Sequence, residues 1–307
     1  MKWTGRQGSS NVEDRRGQSS QGSFGGLGRL GGLGNGGKGC GCTGSIGVII
    51  IAIVIWLMGG NPLQLIGMLE DAGGGAIFNN TPNQEQAYNS AEEDSLFEFA
   101  RVVLYDTEEI WTSIFRQMGK EYRKPTLITY NSYTSSGCGT AQSSTGPFYC
   151  PADEKIYLDL SFFKQMDAQF HAPGDFAYAY VIAHEVGHHV QKLLGTLDEI
   201  NSEMARSNKK RANELSVCLE LQADFYAGVW ANRESKLFDA LEPGDIDEAL
   251  NAASAIGDDR LQKEAQGYTV PDSFTHGTSQ QRHDWFYNGY NTGDISKGNT
   301  FEKLMRR

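Results

Sequence analysis

The sequence predicts an α+β fold, mainly helical and with a small β-sheet, preceded by one transmembrane helix. Three features carry that expectation. One strongly apolar block stands near the N-terminus; several long stretches repeat apolar residues at spacings of three and four; two short β-branched runs bracket a Gly/Ser-rich loop. A chain of 307 residues holds one sizeable domain plus extensions, at about 100 to 200 residues per domain.

Residues 1–45 contain GSFGGLGRLGGLGNGGKGCGCTGS. So Gly-dominated a tract buries too little side chain to offset backbone ordering, so a flexible tail is expected. The apolar core that follows, Ile46 to Met58, is 13 residues, and no charged residue occurs across the 31 positions from Gly39 to Leu69. A tilted or slightly extended span of about 20 residues fits there, and the anchor is placed at residues 46–60. A buried core helix does not suit the Gly-rich flanks, and a signal peptide does not suit a preceding tail of this length. Residues 61–83, with AGGGAIFNNTPNQEQ, read as a tether, and the folded domain is expected over 84–307.

Charge is unevenly spread along the chain. Before Gly60, six basic residues (Lys2, Arg6, Arg15, Arg16, Arg29, Lys38) face two acids (Glu13, Asp14), whereas the remainder carries 21 basic and 36 acidic residues. The positive-inside rule then puts the tail in the cytoplasm and the domain outside, with the lipid bilayer as a partner. So acidic a body makes nucleic acid an unsuitable partner, since phosphate binding relies on clustered Lys and Arg. Cys138 and Cys150 lie in SGCGTAQSSTGPFYCP, a loop that one disulfide can close in an oxidising compartment; two unpaired thiols are the alternative. Cys40 and Cys42 receive no role, and Cys218 reads as a packed core residue.

Within the domain, Leu96, Phe99, Val103, Leu104, Ile110, Trp111, Ile114 and Phe115 mark an amphipathic helix between Glu85 and Lys120, with a break expected near Asp106. Thr126–Tyr130 and Lys155–Leu160 read as strands, the latter a candidate edge strand for pairing with an extended peptide. A helix follows from Phe176 to Leu194, stopped by Gly195; another covers about Leu215 to Trp230, and a third Asp245 to Gln266. THGTSQQRHDWFYNGY begins as a loop and becomes helical.

The chemistry concentrates in VIAHEVGHHV, residues 181–190. On a helix, His184 and His188 lie one turn apart on one face and can direct both rings to one point. Zinc accepts imidazole nitrogen and keeps an open position when the protein supplies three ligands. Glu185, turned about 100° from His184, borders such a metal without binding it, which is the H-E-x-x-H arrangement of a zinc site with a general base. His189 lies off that face. Gly187 costs helix stability, so a close approach of another backbone or side chain is expected there. A third ligand must come from elsewhere. In ELSVCLELQADFYAG, Glu220 and Asp224 are again i and i+4 in apolar surroundings: Glu220 is the candidate ligand, and Asp224 the acceptor for the free ring N–H of a ligating histidine. Glu214 is the alternative ligand, and an ordinary ion pair is the alternative for both carboxylates.

HEVGHH, then ELQADFYAG, then THGTSQQRHDWFYNGY, together with NVEDRRG near the start and FYCPADEKIYLDL, resemble the neutral zinc metallopeptidase family of membrane-anchored bacterial proteins. The resemblance covers nearly the whole chain. More distantly, H-E-x-x-H followed by E-x-x-x-D is similar to zincins whose third ligand is glutamate. The resemblance implies one catalytic zinc ion held by His184, His188 and Glu220, with Glu185 as base and Asp224 behind the ligands. It also implies a zincin-like domain. In some distant relatives T-H-x-x-x-x-x-R supplies a histidine near the substrate oxyanion, and Thr275-His276 with Arg282 has that spacing. A preorganised donor there lowers the barrier to attack on an amide, with Arg282 positioning loop or substrate; a solvated loop histidine is the other reading of His276.

The expected function is hydrolysis of peptide bonds in a peptide or protein substrate by a Glu185-activated, zinc-bound water. Two rivals stand beside it: a membrane-tethered, zinc-containing scaffold without catalysis, against which the intact Glu185 argues, and a zinc amidase acting on cell-wall peptides.

Overall fold

The computed structural model describes residues 1–17 and 90–305. The apolar run at 46–60, the linker and residues 18–45 of the tail lie outside the described residues. Among the described residues no helix is long and apolar enough to cross a membrane.

The first seventeen residues correct one expectation. Val12–Asp14 forms strand β1, which pairs in parallel with β2 (Thr126–Tyr130), Val12 opposite Leu127 and Asp14 opposite Thr129. The start of the chain is therefore part of the domain and not of a flexible tail. Its composition differs from the Gly-dominated stretch behind it: Met1 is buried, Trp3 meets Phe99 edge-on at 5.5 Å, and Ser9 donates to Glu108 at 2.7 Å. These anchors supply the burial and hydrogen bonds that a Gly tract lacks.

Helix α1 spans Ser90–Gln117 without interruption. A break near Asp106 is not needed, because Asp106 faces inward and accepts from Arg6 at 2.7 Å. The sheet then runs β1-β2-β6-β5, with β5 Phe148–Cys150 and β6 Lys155–Asp159. β2 and β6 are parallel and β5 is antiparallel to β6. Lys155–Asp159 is thus an interior strand, and its main chain is already spent on two neighbours; the end strand on that side is β5. Between the two expected strands lies a hairpin, β3 (Tyr133–Ser136) and β4 (Gly139–Gln142). Cys138 at its tip is bridged to Cys150 on β5, closing a short loop worth about 3 kcal/mol on chain-entropy grounds.

A short helix α2, Ser161–Ala168, leads to α3, Asp175–Leu194. α3 starts where Glu248 accepts from the Phe176 main chain at 3.1 Å and stops at Gly195, whose φ of 84° places it in the left-handed region. Glycine tolerates that conformation at no steric cost. After α4 (Thr196–Met204), helix α5 runs Lys209–Phe238, longer at both ends than its apolar spacing indicates. The segment expected as one helix from 245 to 266 is two, α6 Asp245–Ala255 and α7 Asp258–Gln266. Gly257, in extended backbone, separates them, and a Cβ there would stand 2.2 Å from the Ser279 nitrogen. Helix α8, Ser279–Thr292, opens with a capping box between Thr278 and Gln281, and α9 is Glu302–Met305.

Helices α3, α5 and α8 form the centre. Phe176 of α3 stacks on Trp230 of α5 at 5.5 Å, and Phe286 of α8 meets Tyr180 of α3 edge-on at 5.4 Å. Close crossing is bought with glycine: a Cβ on Gly228 would lie 2.0 Å from the Phe286 carbonyl. Gly187 meets the expectation of close approach, its Cβ position being 2.9 Å from the Ala223 carbonyl of α5. That contact sets the two helices side by side where His184, His188, Glu220 and Asp224 project.

Candidate active site

The structure brings His184, His188 and Glu220 together. Nε2 of His184 is 3.2 Å from one oxygen of Glu220, and Nε2 of His188 is 3.5 Å from the other. One ligating atom from each of the three residues lies within 4.8 Å of the others. Bonds of about 2.0–2.2 Å in a tetrahedron put neighbouring ligand atoms about 3.4 Å apart. Two imidazoles and a carboxylate at these separations fit a zinc ion.

The outward ring nitrogens are both occupied, which leaves the inward ones as the atoms able to bind a metal. Nδ1 of His184 lies 2.8 Å from Asp224 Oδ1, and Nδ1 of His188 lies 2.9 Å from Gln191 Oε1. Gln191 uses its amide nitrogen as donor to the Leu219 carbonyl and to Gln222, so its oxygen is free to accept. Electrostatics agree with a cation between the Nε2 atoms. Burial opposes charge on His184, yet Asp224 and Glu220 raise it to about 10; burial likewise opposes ionisation of Glu220, yet His188 and His184 hold it well below the ordinary carboxylate range. The cluster demands positive charge, and a proton or a metal ion supplies it.

Glu185 is buried, outside the three-residue cluster, next to His184 in sequence and close enough to His184, His188 and Glu220 to feel their charge. Burial holds its carboxyl above the usual range, with His184 and His188 pulling the other way. A carboxyl raised in this manner holds a proton more readily than a free glutamate, the direction a general base needs. Glu214 does not reach the cluster; it lies 3.9 Å from Arg211.

Arg282 requires a correction. It is 1% exposed, and its guanidinium grips Asp224 with both arms, Nε to Oδ2 at 2.8 Å and an amino nitrogen to Oδ1 at 2.9 Å. Tyr180 donates to the same Oδ1 at 2.5 Å. So buried and so paired, Arg282 holds Asp224 and through it His184, where the motif suggests a hold on the loop or the substrate. The physical reason is that α8 packs its first turn against α3 and α5, so a residue in that turn points inward.

His276 sits in the loop before α8, partly exposed, and close enough to Glu220 for the two to influence each other's charge. Ser216 of α5 donates to the Thr275 carbonyl at 3.0 Å, tying that loop to the helix that bears Glu220. Asp258, at the start of α7, accepts from the main-chain nitrogens of Thr275, His276 and Gly277 at 2.7, 2.7 and 3.1 Å, and lies 3.3 Å from His276 Nδ1. It holds both loop and ring, and nothing in the local sequence marks it, since it precedes His276 by 18 positions. Tyr180 and Gln191 were more accessible to sequence reasoning, at i−4 from His184 and i+3 from His188.

His189 is fully buried and away from the cluster. Its Nε2 lies 2.6 Å from the Arg123 carbonyl and its Nδ1 3.0 Å from the Tyr149 hydroxyl. It fastens β5 and the approach to β2 onto α3. Cys218 is buried and unbridged.

Comparison with known proteins agrees with this geometry. The chain is 46% identical over 307 residues to the uncharacterized protein YpfJ of Escherichia coli K12, covering 99% of this chain and all of that one. It is 43% identical over 199 residues to the uncharacterized protein Mb2605 of Mycobacterium bovis, covering 62% of this chain and 66% of that one. No solved structure matches. The model of the family described as "Putative neutral zinc metallopeptidase" matches residues 1–301, and the chain belongs to that family.

Proposed function

We propose that the chain is a zinc-dependent peptidase that hydrolyses peptide bonds. The observation that carries this is the convergence of His184, His188 and Glu220 at metal-ligand separations, with Glu185 beside them, buried and outside the ligand set. A purely structural metal site has no use for that carboxylate.

Zinc held by these three residues supplies a Lewis acid that polarises the scissile carbonyl and makes water more acidic. Glu185 takes the proton lost by the attacking water and delivers it to the departing amine, a role worth about 10²–10⁴ in rate. His276, steered by Asp258, donates to the oxyanion, where a single donor contributes about 3–4 kcal/mol. Asp224, locked by Arg282 and Tyr180, keeps His184 in the tautomer that presents Nε2. β5 is the end strand of the sheet, and the Tyr149 main-chain nitrogen on it acts on Glu185; an extended peptide adding to this strand would lie beside the base. The Cys138–Cys150 bridge supports a location outside the cytoplasm.

The test uses the full chain, purified in detergent, with bound metal measured by elemental analysis. Hydrolysis of a peptide library is then compared between wild type and Glu185→Gln. Zinc in both and cleavage by wild type alone is the expected result. Zinc in both with no cleavage of peptides or of cell-wall fragments would favour the scaffold, and loss of zinc binding in wild type would remove the metal site altogether.

A further inference from the structure

Residues 1–17 raise a question of compartment. β1 is paired to β2 over three register positions, and the Leu127 main chain donates to the Asn11 carbonyl at 2.9 Å. Arg6 reaches deeper: its guanidinium bridges Asp106 of α1 at 2.7 Å and Glu234 of α5 at 3.1 Å, both carboxylates being at most 1% exposed. Two buried acids this close are stabilised by a cation or a retained proton, because an isolated buried charge is costly and two of like sign repel, and Arg6 is the cation placed between them. The domain supplies the acids, and Arg6 comes from the other side of the apolar run. These contacts cannot coexist with a single membrane crossing between residues 17 and 90, which would put the two partners on opposite faces of the bilayer.

The charge argument for that crossing also weakens on inspection. The positive-inside rule counts Lys and Arg within about 15–20 residues of a span. Four of the six basic residues before the run are engaged elsewhere: Lys2 with Asp239, Arg6 as above, Arg15 with Glu13, and Arg16 with Asp14 and Asp94. Arg29 and Lys38 remain to bias orientation.

We propose that residues 1–17 lie in the same compartment as the catalytic domain, outside the cytoplasm, and form its outer strand with Arg6 as the latch between α1 and α5. The disulfide sets which compartment that is, and the β1–β2 pairing with the Arg6 bridge brings the N-terminal segment there.

The test is a cross-link made in living cells. A Cβ on Gly8 would stand 3.0 Å from the Arg101 Cβ, and Gly8 needs no left-handed backbone, so the pair is near the ~3.5–4.5 Å of a disulfide. Full-length Gly8→Cys/Arg101→Cys, in a Cys40→Ser/Cys42→Ser background, is trapped with alkylating reagent and run without reductant. A fast-migrating monomer, lost on reduction, is expected; free thiols at both positions, or a cross-linked dimer, would overturn the proposal. Should the double variant fail to accumulate, exposed Thr4→Cys in the same background serves instead. Labelling by a membrane-impermeant maleimide on intact spheroplasts is expected, and protection until lysis would overturn it. Neither readout involves hydrolysis, so failure here is separable from failure of the peptidase reading.

Discussion

Asp224 and Arg282, 58 positions apart in the chain, form a bidentate ion pair in which neither side chain is more than 2% exposed. The pair lies directly behind His184. Its carboxylate carries three duties at once: it neutralises Arg282, accepts from Tyr180 and orients the His184 ring. Burial opposes ionisation of Asp224, but Arg282 and His184 together hold it below the ordinary range, so it remains an anion.

Asp224→Asn keeps the shape and removes the charge. Arg282 is then left buried without its counter-ion, which costs about 3–5 kcal/mol, and zinc affinity falls by about 10–100-fold. Denaturant unfolding with chelator present reads the first effect, and zinc competition titration reads the second. Unchanged values in both would mean that the pair neither stabilises the fold nor orients the ligand.

Asp258 has a pH signature. Burial raises its carboxyl, but His276 and the main-chain donors of Thr275 and His276 outweigh that and leave it below its ordinary value. A depressed carboxyl stabilises the fold above its unfolded pKa, near 4, and loses that contribution as pH falls through the folded value. Asp258→Asn is therefore expected to be less stable than wild type at pH 7 by about 1–3 kcal/mol, as for a hydrogen bond to a charged group. The difference should shrink below about pH 4, as followed by urea unfolding across pH. On the peptidase reading the same variant slows turnover, because His276 loses its orientation.

Asp106 behaves in the opposite sense. Burial, followed by the adjacent Glu234, drives its carboxyl up to about 9 against the pull of Arg6. A carboxyl that keeps its proton when folded but loses it when unfolded weakens the fold at pH values above about 4. Asp106→Asn supplies a neutral group without that cost, so it should be more stable than wild type at pH 7, with the gain vanishing as pH approaches 4. A loss of stability at pH 7 would show that the Asp106 charge, paired with Arg6, outweighs its burial.

Periodicity made the helices legible, and the i, i+4 pairs on them carried the candidate ligands. His184 and His188 needed nothing beyond one helix, since backbone geometry alone puts them on one face. Glu220 and Asp224 followed from a similar local argument: carboxylates in apolar surroundings must find partners. Gly187 signalled the close approach of another segment, which proves to be the α5 main chain at Ala223. The β-structure was half visible, because β2 and β6 are β-branched runs whereas β1, β3 and β4 are short and polar or glycine-containing and β5 is only three residues long.

What tertiary structure decided was each role that depends on distant neighbours. Arg282 reads as a loop-side residue from its motif, yet the packing of α8 against α5 turns it into the counter-ion of Asp224. Asp258 carries no local mark, because its partners are main-chain groups on another segment. Residues 1–17 read as the front of a disordered tail, and they belong to the domain because the β2 edge, Asp106 and Glu234 lie far along the chain and become a docking surface only on folding. Local backbone geometry determines which side chains share a face; three-dimensional packing alone determines what each of them meets.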